Sequence, residues 1–373
     1  MPLIILLGSI AGVFSVAIIA GAVWVLWALW AGTLVGVAWW ILAIVAIAIA
    51  ASGRFLVLAF FPRGEQEPEV RGSANGGETM VGPDGSRIHV EREGAVGKPT
   101  LVLTHGWTLD SQAWFYARRH LSKQYRLILW DLPGLGRSSQ PADRHYSVER
   151  LAEDLRAVIQ QQASANERVT LVGHSIGGMM MLTLCRLHPE FVRQRINGLV
   201  FVDTTYTYPL NSVPASALQK ALRWPVFEPL LHVTIALWPI AWLMNWLSYF
   251  NGTSHLVNRM TVLTGKVTRG QLDTSAWYNA KDHPGVVAKG ILAVMRWNEE
   301  KTVSGIDIPA RVITGSRDMI TRPEAAREMS ERLPQGDLVT VDPAGHNGLL
   351  EQMSVAYGQA IDEAARRFAL APA

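Results

Sequence analysis

The sequence is short of cysteine and, over its first stretch, of charge. Cys185 is the only thiol among 373 residues, so no disulfide can form within the chain, and a chain this long needs none to bury a core. No Asp, Glu, Lys or Arg occurs before Arg54. A strong imbalance of charge is also missing. The net charge is +3, and short clusters such as Arg118-Arg119 and Arg193/Arg195 fit solvated helix faces rather than a nucleic-acid surface. No Cys/His cluster has metal-ligand spacing, so neither a metal nor an organic cofactor is expected.

The charge-free head is a membrane segment by length. A bilayer core of about 30 Å needs about 20 apolar residues in a helix, and this run is more than twice that. It breaks naturally at "WAGTLVG", where Gly32, Thr33 and Gly36 interrupt the bulky residues. The expectation is two transmembrane helices, Leu3 to Trp30 and Thr33 to Ala51, making residues 1–53 an anchor. Trp24, Trp27 and Trp30 cluster near the turn, as aromatic residues do at a membrane interface. A secretory signal peptide would need a positive start and an apolar core of about 7–15 residues, and the segment has neither. Arg54 and Arg63 follow the second helix, and the positive-inside rule puts them and the rest of the chain in the cytoplasm. "FLVLAFFPRG" is compatible with an extension of that helix, an interfacial segment, or packing on the next domain. "PRGEQEPEVRGSANGG" is linker-like, and residues 54–77 are read as a linker.

Beyond it, "ETMVGPDGSRIHVERE" reads as a hairpin around Pro83-Asp84-Gly85. Short branched runs follow, each ending in a loop: "TLVLTHG", "RLILWDLPG", "VTLVGHS", "GLVFVDT", "RVITGSRD" and "DLVTVDPAGH". Helical stretches alternate with most of them. One opens at Ser147, with Arg150 where a capping box would have Glu, so it is only partly capped. This alternation predicts an α/β fold, a mostly parallel sheet flanked by helices, with ligands beyond the carboxyl ends of the strands.

"VTLVGHSIGGMMML" is the most informative stretch. Gly173-His174-Ser175-Ile176-Gly177 arises by chance in about one chain in ten of this length. Here, however, it sits where a buried strand turns directly into a helix. The glycines remove side chains that would clash in so sharp a turn, and Ile176 begins the helix with its N–H aimed where the serine hydroxyl points. A hydroxyl nucleophile needs a base. His346 follows the last strand and Asp318 the one before, in the order Ser…Asp…His. Asp203 also ends a strand and is the rival acid. The "THGWTLD" loop offers a second oxyanion donor, the N–H of Trp107, placed by Gly106.

The pieces "HGW" (105–107), "DLPGLGRSS" (131–139), "GHSIGG" (173–178), "SRD" (316–318) and "GHNGLLE" (345–351) resemble the α/β-hydrolase superfamily in identity and order. The resemblance runs from about Glu78 to the C-terminus, an inserted cap excepted. It implies Ser175 as nucleophile, His346 as base, Asp318 as acid, Trp107 and Ile176 as oxyanion amides, and His105 and Asp131 as structural loop residues. Haloalkane dehalogenases and epoxide hydrolases of this fold carry an aspartate nucleophile, and the serine here argues against both.

The domain reading is core at 78–205, a helical cap at 206–290, and core again at 291–373. "LRWPVFEPLLHVTIALWPIAWLMNWLSYFNG" in the cap is rich in tryptophan. A single crossing there would part Ser175 from His346 across the membrane. A helical pair broken at Pro239 and lying in the interface is therefore expected. Trp107, His174, Trp242 and Trp246 are candidate pocket residues. Because no candidate catalytic residue lies within 1–62, the remainder is expected to fold and turn over short esters alone. The whole reads as a membrane-anchored serine esterase or lipase acting on lipid-like esters, with a thioesterase, an amidase or a carbon–carbon bond hydrolase as rivals and a non-catalytic scaffold as the reading from another class. The bilayer is its expected partner.

Overall fold

The computed structural model describes residues 2–64 and 76–370. Two antiparallel apolar helices come first, α1 (Pro2–Trp30) and α2 (Val37–Ala59). Both are long and apolar enough to cross a membrane. The second departs from expectation at each end. Gly36, at φ 123°, delays its start to Val37, and it runs through Arg54 to Ala59. Arg54 does not stop it because the guanidinium lies over aromatic rings, 4.5 Å from the Tyr249 centroid and 4.7 Å from that of Phe55. So 54–59 belong to the helix rather than to a linker. Most of the remaining linker, 65–75, lies outside the described residues.

The sheet has eight strands: β1 (Glu78–Val81), β2 (Arg87–Glu93), β3 (Thr100–Thr104), β4 (Arg126–Trp130), β5 (Val169–His174), β6 (Ile196–Val202), β7 (Ala310–Gly315) and β8 (Gly336–Val341). Their order is β1-β2-β4-β3-β5-β6-β7-β8. The first hairpin and the β2–β4 pair are antiparallel and every other pair is parallel. The central strands β3 and β5 are buried throughout, which is why they read as continuous apolar runs.

Helices cover both faces. Along the chain these are α3 (Phe115–Leu121), α4 (Val148–Gln162), α5 (Ile176–Leu187) and α6 (Pro189–Arg195). One core joins the sheet to α4 and α5. The other joins it to α3 and to the helix at Ser354–Leu370. At the start of α4 the Ser147 hydroxyl accepts from the Arg150 amide at 3.2 Å, while the Arg150 side chain turns to Asp84 and Asp143. The box is half made, as its sequence implies.

Between β6 and β7 the chain makes a helical insertion: α7 (Ser216–Ala221), α8 (Glu228–Ala236), α9 (Trp238–Phe250), α10 (Thr253–Thr261), α11 (Arg269–Lys281) and α12 (Pro284–Val294). Its last helix passes the expected limit at 290, because the chain returns to the sheet only at Ala310. A π-helical turn at Arg223–Phe227 leads into α8, and this arm meets α9 at a bend of 100°. The break falls at Leu237, with Pro239 in the first turn of the second arm, where its missing N–H costs nothing. Helix α13 (Pro323–Arg332) joins β7 to β8, and α14 (Ser354–Leu370) closes the chain.

Candidate active site

Ser175 stands between β5 and α5 with φ 53° and ψ −116°. A non-glycine residue there is strained and must be held by its surroundings. Its neighbours permit the turn only because they are glycines. A Cβ on Gly173 would come within 2.6 Å of Gly177 C, and one on Gly177 within 2.6 Å of Thr104 O. The Ser175 N–H donates to Val202 O at 2.9 Å, which ties the turn to β6.

Three strand ends meet at this point. The Ser175 hydroxyl lies 3.0 Å from His346 Nε2, and His346 Nδ1 lies 2.8 Å from Asp318 Oδ2. All three side chains are buried. Asp318 is itself fixed: Oδ1 accepts from the Ile320 and Thr321 amides at 2.7 and 2.9 Å, and Oδ2 from the Thr321 hydroxyl at 2.7 Å. With Asp318 accepting at Nδ1, the free lone pair of His346 falls on Nε2, facing the serine.

Asp203, the rival acid, points elsewhere. Its Oδ1 accepts from the Gly315 amide at 2.7 Å and from the Tyr357 hydroxyl at 3.2 Å. Complete burial, and then the nearby Asp318 carboxylate, push its pKa well above the usual range. Bonded to Gly315 and Tyr357, it leaves His346 Nδ1 to Asp318.

His174 is fully buried, and its Nε2 donates to the carbonyl oxygen of His346 at 2.9 Å. Burial, with His346 nearby, holds its pKa well below that of a free imidazole. The ring borders the cavity, yet it braces the histidine loop from beneath. Glu351 braces the same loop from the other side. Its carboxylate takes the Gly345 amide at 2.8 Å and the Gly265 amide at 2.9 Å, linking that loop to the insertion. Burial raises its pKa to about 7 against the pull of those amides. The roles of Thr321 and Glu351 escape the sequence reading. The Asp-x-x-Thr spacing at 318–321 is a local signal for the first; a carboxylate closing the apolar "GLLE" is one for the second.

His105 and Asp131 sit in the loops as expected. His105 Nε2 accepts from the Leu132 amide at 2.9 Å, and Asp131 takes the amides of Ser111 and Arg137, each at 2.8 Å. Ile176 opens α5, so its N–H has no acceptor within the helix. The Trp107 ring is pinned against α12, its Nε1 donating to Val287 O at 3.0 Å.

A cavity of about 380 Å³ opens over the serine. Ser175, His346, His174 and Trp107 lie at its foot, and α8, α9 and α12 supply apolar walls. Trp242 and Trp246 are not among the residues that line it, which corrects their placement in the pocket. On α9 the cavity face is taken by Ile240, Ala241, Met244, Asn245 and Ser248, at helical spacing. Trp246 instead packs with Tyr249 and Phe250, and Trp242 with Trp246. Four of residues 8–13 on α1 also line the cavity, a contribution the sequence did not announce. Among the described residues no group of His, Cys, Asp and Glu is arranged to hold a metal.

This chain is similar to proteins of known name. A pimeloyl-[acyl-carrier protein] methyl ester esterase of Nitrosomonas europaea is 26% identical over 265 residues, covering 69% of this chain and 92% of that protein. Epoxide hydrolase 4 of Homo sapiens is 30% identical over 138 residues, 35% of this chain and 38% of that protein. The chain spans about two fifths of the length of several of the curated relatives it matches. Among solved structures, a membrane phospholipase A described as a bacterial virulence factor superposes with a TM-score of 0.60 at 21% identity, covering 79% of this chain and 88% of that one. At that identity the likeness is one of fold. Residues 99–352, well over half of the chain, match the family model described as the alpha/beta hydrolase fold, and the chain belongs to that family.

Proposed function

We propose that the chain is a membrane-anchored serine hydrolase that cleaves carboxylic esters of lipid-like substrates. The observation that carries this reading is the unbroken relay Asp318–His346–Ser175 at the foot of an apolar cavity. Ser175 Oγ attacks the acyl carbon and its proton passes to His346 Nε2. Asp318 stabilises the imidazolium. The amides of Trp107 and Ile176 receive the oxyanion. His346 then returns the proton to the leaving alcohol, and water, activated by the same ring, frees the acyl group. The insertion acts as a lid whose apolar wall receives the acyl chain. Arg63, just beyond α2, supports a cytoplasmic catalytic domain.

The test is a series of p-nitrophenyl esters of graded chain length, offered to the full chain in detergent or vesicles beside a thioester and an amide. Fluorophosphonate labelling is followed by peptide mapping. Turnover favouring oxygen esters of medium and long chains, with label on Ser175, is the expected result. No labelling and no turnover would sink the reading, and a preference for the thioester would redirect it.

A further inference from the structure

We infer that α1 is a wall of the acyl-binding site, and that the substrate's chain reaches Ser175 sideways, from the hydrocarbon of the near membrane leaflet. This rests on the ester-hydrolase reading and adds where the substrate comes from and what holds its tail.

The first observation is the wall itself. Gly8, Ser9, Ala11 and Val13 line the same cavity as Ser175 and His346. Val13 also keeps 62% of its surface exposed, and its neighbours Ile10 and Phe14 are exposed too. One stretch of a helix apolar enough to span a bilayer therefore faces the cavity on one side and the outside on the other.

The second observation is depth. With the turn between Trp30 and Val37 at the far boundary, about 20 helical residues fill a hydrocarbon core of about 30 Å. Counted back from Trp30 they reach Ala11, and counted forward from Val37 they reach Leu56. The insertion docks inside both limits. A Cβ on Gly12 would lie 2.6 Å from Met244 Cε of α9, and one on Gly53 would lie 2.5 Å from Asn251 O at the end of that helix. Ser15, fully buried, lies 3.1 Å from Ser248 Oγ and accepts from Asn251 Nδ2 at 2.6 Å. At 1.5 Å per residue, Ser15 and Gly53 stand about 22 and 24 Å from the far ends of their helices, short of the near boundary by several ångströms. Counted from the same turn, the two helices give the same depth.

The third is composition. α9 carries no charge, and Leu237, Ile240, Trp242 and Leu243 at the bend are exposed. Such a surface suits hydrocarbon. The cavity between α1 and α9 therefore runs from the catalytic serine to a lipid-facing seam, and an acyl chain fits it without leaving an apolar medium.

The experiment uses the full chain in phosphatidylcholine vesicles. Nothing lies within 4 Å of a Cβ built on Gly8 or on Gly21, so a side chain can start from either without a clash, but only Gly8 lines the cavity. Gly8→Leu is expected to lower the ratio of p-nitrophenyl palmitate to p-nitrophenyl acetate turnover by about tenfold or more, while Gly21→Leu leaves that ratio unchanged. An equal ratio in Gly8→Leu and wild type overturns the wall, as does an equal fall in Gly21→Leu. A nitroxide on Leu243→Cys reads depth separately, Cys185 being buried. Greater access to oxygen than to a water-soluble nickel chelate is expected, and the reverse overturns the sideways route. Wild-type acetate turnover keeps the two readings apart. If it is present and the ratio does not move, only this inference falls; if wild type turns over neither ester, the hydrolase reading falls and takes this one with it.

Discussion

The carboxyl end of the sheet and the seam between the hairpin and the insertion hold their residues by opposite means. At the sheet, direction does the holding. Asp318 accepts three hydrogen bonds besides its contact with His346, and the histidine loop is tied by His174 below and Glu351 at its flank. At the seam, contact of apolar surfaces does most of it, with a small polar group at Ser15, Ser248 and Asn251. Directional bonds fix atoms to within tenths of an ångström, which proton transfer needs. Apolar packing fixes volume, which a variable acyl chain needs. On the proposed reading, chemistry and chain selection reside in different materials.

The sharpest way to break this contrast is to remove the serine. Ser175→Ala is expected to abolish turnover by a factor on the order of 10⁶ and to end fluorophosphonate labelling, with thermal stability little changed. Substantial esterase activity in the purified variant would mean that the directional site is not the working one. Next in size is Asp318→Asn, expected to cost about 10⁴ in kcat by presenting the wrong histidine tautomer. Asp203→Asn keeps the acceptor for Gly315 and alters a carboxyl bonded to Gly315 and Tyr357 rather than to His346, so its cost should stay under about tenfold. A reversed ranking would hand the acid's role to Asp203.

The brace at Glu351 gives a pH signature. Burial, opposed by two amides, raises its pKa from the ordinary 4.5 to about 7. The folded chain therefore holds a proton that the unfolded chain has released, and stability falls as pH rises between those values. At about 1.4 kcal/mol per pKa unit this amounts to a few kcal/mol. Asp154, raised to about 7 chiefly by its own burial, adds a slope of the same sign. Melting of the detergent-solubilised chain should show Tm declining across this range, with a shallower decline in Glu351→Gln. An unchanged slope in the variant would assign the pH dependence elsewhere.

The smallest effect is expected at the seam. Ser15→Ala leaves the Asn251 amide without its acceptor, at about 1 kcal/mol. Tm should drop by a few degrees while acetate turnover holds, since Ser15 does not line the cavity. A loss as large as that from a catalytic residue would mean that the two regions are not separable.

The sheet and the relay were legible because their signals are local. Each strand announces itself in four to seven residues; Ser175 stands directly after one, with Asp318 three and His346 five residues past the ends of two others. The seam was not, because nothing near Gly12 or Ser15 in sequence names a partner beyond residue 240. Composition marked the insertion's tryptophans as interfacial but could not say which side of α9 each would take. Trp242 and Trp246 turned away from the cavity, and Met244 and Ser248 took the inner face. The end of α2 was missed for a similar reason: a charge at Arg54 reads as a boundary until Tyr249, nearly two hundred residues later, offers its ring. The expectation that the chain would work without residues 1–62 was formed without sight of these contacts. Deleting them removes a wall of the cavity and the partners of Ser248 and Asn251.

Ser15 also carries a consequence for biosynthesis. Its partner Ser248 is 233 residues away. At about 5–20 residues per second, a ribosome takes on the order of ten to fifty seconds to make the intervening chain. For most of that interval, once Ala59 is made, the hairpin is complete and its docking face is open. The hydroxyl is not left unpaired, because Ser15 Oγ donates to Ala11 O, one turn back, at 2.6 Å. The first helix can thus wait in the bilayer with its polar group satisfied, then accept the Asn251 amide when α9 arrives. On the anchored reading proposed above, maturation ends in the membrane, with the first helix made serving as the surface on which the insertion closes.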